Sequence, residues 1–262
     1  LSRLVDILQA KPAGPGHFRG QSTDIGTENL FGGQVLGQAL MAACASAPPE
    51  RRLHSLHAYF LLPGKHAPVD YDAEQVRDGG SFSARRVVAR QDGAVIFEML
   101  SSFQTRVDDI DRHDPMPSMP GPDGIRSETE QYQRIMDRLP ATMREKVLQP
   151  RPIEYRPVVP FDLVEGAPRE ARSAIWLRAT ESLPDTPVLH QALLAYASDH
   201  GLLFTGTLPH GFSFLGGEVR LASIDHAMWF HRDFRFDDWL LYCIDSPNVC
   251  GTLALCRGAF YT

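Results

Sequence analysis

From Leu30 to Ala45 nearly every residue is small or apolar. Wound into a helix, this run is apolar nearly all round, which means that it is buried. Pro48-Pro49 stops it. Strand-like segments follow at Leu53–Leu62, Val69–Arg77, Ser81–Gln91 and Ala94–Gln104, and the Asp92-Gly93 pair between the last two marks a tight hairpin. A helix that needs cover all round, beside strands that can curve, predicts an antiparallel sheet wrapped on a central helix.

Composition removes several function classes. With 43% apolar and 22% charged residues the chain is not a disordered one. Its longest apolar runs fall short of the roughly 18 residues that a membrane span needs. A net charge of −6 argues against non-specific nucleic-acid binding. Neither a membrane span nor a nucleic-acid partner is therefore expected. Cys44, Cys243, Cys250 and Cys256 form no CxxC pair and read as buried, reduced thiols. No signal peptide is visible over Leu1–Ala10, and a cytoplasmic location is expected. Arg85 and Arg86 are expected on a solvated strand face, with a phosphate contact by one of them as the sharper alternative.

The second half repeats the pattern of the first. Pro115–Pro122 is a linker by composition, Ser127–Val147 reads as an exposed helix broken at Pro140, and Arg151–Val159 is extended. Strand and helix segments then resume at Ala174–Ala179, Leu189–Ala197, Asp199–Thr207, Val219–Phe230, Trp239–Ile244 and Gly251–Tyr261. Phe31-Gly32-Gly33-Gln34 matches Tyr196-Ala197-Ser198-Asp199, and Leu53-His54-Ser55-Leu56 matches Leu221-Ala222-Ser223-Ile224. The expected organisation is an α+β double hotdog: 1–110 as an N-terminal hotdog, 111–150 as a linker with an exposed helix, and 151–262 as a C-terminal hotdog.

Six blocks, in order, carry a family resemblance: Phe18-Arg19-Gly20-Gln21, Phe31-Gly32-Gly33-Gln34-Val35, His54–Phe60, Ser81–Val87, Tyr196-Ala197-Ser198-Asp199 and Ile224–Arg232. Together they resemble the acyl-CoA thioesterase II family, over about Leu4 to Thr262. The resemblance implies a double hotdog that hydrolyses fatty acyl-CoA thioesters. It also implies an Asp, a Thr or Ser, and a Gln around a water. The Asp falls on Asp199 and the hydroxyl on Ser223.

A thioester carbonyl is already electrophilic, so direct water attack needs no covalent nucleophile. A carboxylate can orient the water and accept its proton, while a hydroxyl holds it in place. Asp199 is placed at the start of a helix, where it would also serve as an N-cap. In the repeat register Gln34 takes the place of Asp199, and Ser55 that of Ser223. Gln34 cannot act as a base, so one site per chain is expected. Ser55 and Gln104 are 49 positions apart, and the same interval from Ser223 reaches about position 272, beyond Thr262. The third residue and the last strand of the second hotdog are thus expected outside the given sequence.

No cofactor and no metal are expected. Asp225 and His226 alternate on a strand and point to opposite faces. The expected partners are an acyl-CoA substrate and a second copy, as a homodimer of double hotdogs. Two rival functions remain. One is a hydratase or dehydratase of the same fold, which would need an Asp and His acting together. Asp199 and His200 are adjacent, about 100° apart on a helix, which is poor placement for that chemistry. The other is a non-catalytic acyl-CoA-binding protein.

Overall fold

A computed structural model describes residues 2–107, 110–139, 144, 151–160, 166–212 and 219–262. The first half starts with α1 (Ser2–Leu8), β1 (Lys11–Gly14), β2 (His17–Gly20) and α2 (Gly32–Ser46). It continues with β3 (Arg51–Phe60), β4 (Val69–Asp78), β5 (Phe82–Gln91) and β6 (Ala94–Thr105). A short helix α3 (Glu128–Arg134) lies between the halves. The second half holds β7 (Ile153–Pro157), β8 (Arg172–Ala179), α4 (Pro187–Ser198), α5 (Leu202–Thr207), β9 (Asp225–Trp229), β10 (Leu240–Cys250) and β11 (Leu253–Tyr261). Among the described residues no helix is long and apolar enough to cross a membrane.

Helix α2 forms where the apolar run predicts it, and it is buried as expected: Leu36, Ala39, Leu40, Ala42 and Ala43 are fully enclosed. Its two glutamines are buried with it and bind backbone. The Gln38 amide donates to the Gln21 carbonyl at 2.7 Å and accepts from the Tyr71 hydroxyl at 2.6 Å. The Gln34 amide donates to the same Gln21 carbonyl at 3.1 Å and accepts from the Thr23 amide at 3.1 Å. These bonds satisfy polar groups that burial would otherwise make costly.

The far end of α2 is closed by Arg85, which is 2% exposed. Its guanidinium donates to the Ser46 carbonyl at 2.9 Å and clasps Asp78 at 2.7 and 3.0 Å. A cation at a helix C-terminus is favourable there. The expectation of a solvated face is therefore wrong for Arg85, whose buried side chain reaches the helix end. It holds for Arg86, which is exposed and pairs with Glu98 at 2.6 Å.

All strand pairs are antiparallel. One sheet runs β1-β2-β4-β5-β6-β3-β9 and the other β11-β10-β8-β7. Strands β5 and β6 are joined by the Asp92-Gly93 hairpin. Both residues have positive φ, 49° and 81°, as a two-residue hairpin turn requires. The order β7, β8, β10, β11 repeats the order β1, β2, β4, β5, so the duplication holds at the level of the sheet. Strand β9 takes the part of β3 and pairs with β3 itself, Leu56 opposite Met228 and Ala58 opposite His226. Among the described residues no second-half strand corresponds to β6.

The duplication does not hold at the residues used to align it. Gln34 lies in the first turn of α2, whereas Asp199 follows the last turn of α4. Ser55 is inside β3 and buried, whereas Ser223 precedes β9. Asp199 therefore ends a helix rather than starting one, and the count to position 272 loses its anchor. The exposed helix expected over 127–147 is reduced to α3, one short turn and the buried Leu139; its remainder lies largely outside the described residues.

Candidate active site

Helices α2 and α4 pack antiparallel at very short range. A Cβ on Gly33 would lie 2.2 Å from the Tyr196 carbonyl oxygen, and one on Gly37 would lie 3.1 Å from that of Ala192. The small residues of the buried run thus serve a close helix crossing. This crossing brings the first turn of α2 against the end of α4, where Asp199 sits.

The Asp199 carboxylate caps α2, the helix of the other half. Its Oδ2 accepts a hydrogen bond from the Gly33 amide at 2.9 Å. The position before the helix is Phe31, which supplies no side-chain cap. The partial positive charge of a helix N-terminus favours a carboxylate by about 0.3–1 kcal/mol, and more when partly buried. Gly32 is required beside it, because a Cβ there would lie 2.8 Å from Oδ2. The other oxygen, Oδ1, accepts from the Ser223 hydroxyl at 2.9 Å. Asp199 and Ser223, expected to work together, are thus in direct contact. A carboxylate has about four acceptor positions, so each oxygen keeps acceptor capacity beyond the bond it makes here.

Aromatic and polar groups close the surroundings. Tyr196 packs edge-on against Phe31, ring centres 5.0 Å apart. Burial pushes the Tyr196 phenol up to about 12, opposed by Arg151 and assisted by the Asp199 charge. Tyr242 is buried and donates to the Ser198 carbonyl at 2.8 Å. His226 binds the Ser198 hydroxyl at 2.9 Å through Nε2, and burial pushes its imidazole down, partly offset by Asp199 and Asp225. Asp225 is exposed and His226 buried, on opposite faces of β9. His200 pairs with Glu128 at 3.3 Å. Asp199 and His200 thus have separate partners, which speaks against the two sharing one substrate atom as a hydratase would need. Gln34, the supposed counterpart of Asp199, is bound to the Gln21 and Thr23 backbone, and Ser55, that of Ser223, is buried within β3.

Sequence reasoning missed three things here. Asp199 caps a helix more than 160 positions away in the chain. Gly32, Gly33 and Gly37 signalled a close backbone approach but not to which element. Glu128 was read as part of an exposed helix, and it is 3% exposed.

Comparison with known proteins agrees with this architecture. A family described as "Acyl-CoA thioesterase" matches residues 144–262, and one described as "Acyl-CoA thioesterase N-terminal domain" matches 19–104. Acyl-CoA thioesterase 2 of Haemophilus influenzae is 36% identical, covering 100% of this chain and 92% of that protein. Human acyl-coenzyme A thioesterase 8 is also 36% identical, over 98% of this chain and 83% of its own length. The crystal structure of acyl-CoA thioesterase II TesB2 from Mycobacterium marinum superposes with a TM-score of 0.79 at 38% identity, covering 99% of this chain and 91% of that one. A hot dog fold protein from Alicyclobacillus acidocaldarius, at 20% identity and a TM-score of 0.75, shares the fold. The chain belongs to the acyl-CoA thioesterase II family, built as a double hotdog.

Proposed function

We propose that this acyl-CoA thioesterase hydrolyses its substrate by direct water attack, with Asp199 as the base. The observation that carries this reading is the carboxylate held between Gly33 of one half and Ser223 of the other, at 2.9 Å from each. Asp199 accepts a proton from a water lodged beside it. The water oxygen forms a bond to the thioester carbon and the carbon–sulfur bond breaks. The proton taken up by Asp199 passes to the departing sulfur, so the products are a free acid and the CoA thiol. Ser223 fixes the carboxylate and the water, which lowers the entropy cost of attack. The first turn of α2 supplies positive potential where the carbonyl oxygen gains charge.

Two broader readings accompany this one. Tyr59, Phe82, Leu100 and Trp229 are each more than half exposed on the outer side of the larger sheet. These exposed apolar side chains suit a second copy, giving a homodimer that sedimentation would detect. Four unpaired cysteines suit a reducing, cytoplasmic setting.

Thiol release from a long-chain acyl-CoA, followed together with intact-protein mass, tests the chemistry. Turnover without any acyl adduct is expected. An acyl adduct on Ser223 would replace direct attack with covalent catalysis.

A further inference from the structure

Glu128, in the first turn of α3, lies outside the site described above yet is bound to it. Its side chain is 4% exposed, and its two oxygens serve two different partners, Arg151 and His200. One oxygen accepts from the Arg151 guanidinium at 2.6 Å. The other faces Nε2 of His200 at 3.3 Å. The His200 ring is in turn stacked on Tyr155, centres 4.2 Å apart and 29° from parallel. Burial alone would push the Glu128 carboxyl up, but His200, Arg151 and the Tyr132 hydroxyl outweigh it and hold it down at about 2. Glu128 is therefore a buried anion at working pH. Removing one member of such an arrangement leaves an uncompensated group behind.

His200 is the residue next to Asp199, on the turn between α4 and α5, whose ends are held by Tyr242 at the Ser198 carbonyl and by Thr205 at the Gly201 carbonyl. The Asp199 and His200 amides both donate to Ala197, and Gly201 follows in the left-handed region at φ 89°. The carboxylate on this turn must meet Gly33 and Ser223 at 2.9 Å each. A movement of about 1 Å would spoil both bonds and with them the attack geometry.

We infer that Glu128 is a positioning residue for the hydrolytic site, clamping His200 against Tyr155 and so fixing the turn that presents Asp199. The inference rests on the reading of Asp199 as the base. It gives the segment between the two halves a part in the reaction, since α3 holds the residue next to the base. Glu128→Gln keeps the shape and removes the charge that holds His200.

Steady-state kinetics on long-chain acyl-CoA, with melting curves, should be measured for Glu128→Gln, His200→Gln, the double variant and Asp199→Asn. The expected result is a fall in kcat of about tenfold for each single variant, with KM within about twofold of the parent. The double variant should lose no more than His200→Gln alone, because both changes break one clamp. Should Glu128→Gln fail to fold, the half-buried His200→Gln still has to show the kcat loss. A parental kcat in folded Glu128→Gln or His200→Gln overturns the inference, as do multiplying losses in the double variant or a change confined to KM. An Asp199→Asn enzyme that keeps its activity instead overturns the underlying reading of the base.

Discussion

At the scale of single residues, the account rests on how Asp199 divides its two oxygens. One is bound by a backbone amide that cannot be mutated away, the other by a hydroxyl that can. Losing a hydrogen bond to a charged group costs about 1.5–3 kcal/mol. Ser223→Ala is therefore expected to lower kcat by about ten- to a hundredfold, and Ser223→Thr, which keeps the hydroxyl, should stay close to the parent. Thiol-release kinetics on the two variants check this. A loss in Ser223→Ala as large as that of removing the Asp199 charge would mean that the hydroxyl does chemistry rather than positioning. The contact between the two was approachable from the sequence only through the family resemblance, with Asp199 inside a resemblance block and Ser223 just before one. What was not legible was the direction of the cap: an Asp near helical text suggests a cap for its own chain segment, because the partner helix is remote in sequence.

At the scale of elements, the α2–α4 crossing sets the geometry of the site. Gly33 touches the Tyr196 backbone and also donates to Asp199, so it serves packing and holds the proposed base at once. Gly33→Ala should destabilise the protein by about 3 kcal/mol or more, since overpacking here meets backbone that cannot yield. Urea melts with an unchanged slope and a lower midpoint would show it; a midpoint equal to the parent's would disprove the close crossing. Helix α2 and the β5–β6 hairpin were readable because their signals are local: an all-round apolar run and an Asp-Gly turn. Strand β9 was placed within Val219–Phe230, but its partner was not, because pairing β9 with β3 is a long-range choice made by the assembled halves. The burial of Glu128 escaped for a related reason. It sits in a capping box, Ser127 with Glu130, which reads as the start of a solvated helix.

At the scale of the whole molecule, the two halves share one apolar core and one β3–β9 seam, and neither contains the site alone. The repeat seen in the sequence was therefore real as an order of strands, although the residues chosen to align it occupy different elements. Stability should depend on acid through Glu128, which ties α3 to Arg151 and His200. Its folded value near 2 lies below the ordinary 4.5, so the carboxylate form favours folding. That contribution is complete above about pH 4.5 and is lost as pH falls towards 2, up to roughly 3 kcal/mol. Thermal melts across this window should show a steeper loss for the parent than for Glu128→Gln. Parallel curves would mean that the anion is not buried in solution.

The claim that most depends on all three scales is that Asp199, held by the other half's helix, is the base. It is tested most directly by the rate of thiol release from long-chain acyl-CoA by Asp199→Asn, at a temperature where its melting curve shows it folded. The amide can still accept from Gly33 while Ser223 turns to accept from it, so the fold should survive with a loss of about 1 kcal/mol from the cap. The predicted rate is at least a thousandfold below the parent, within the range for removing a general base. A folded Asp199→Asn protein working within tenfold of the parent rate would contradict the account.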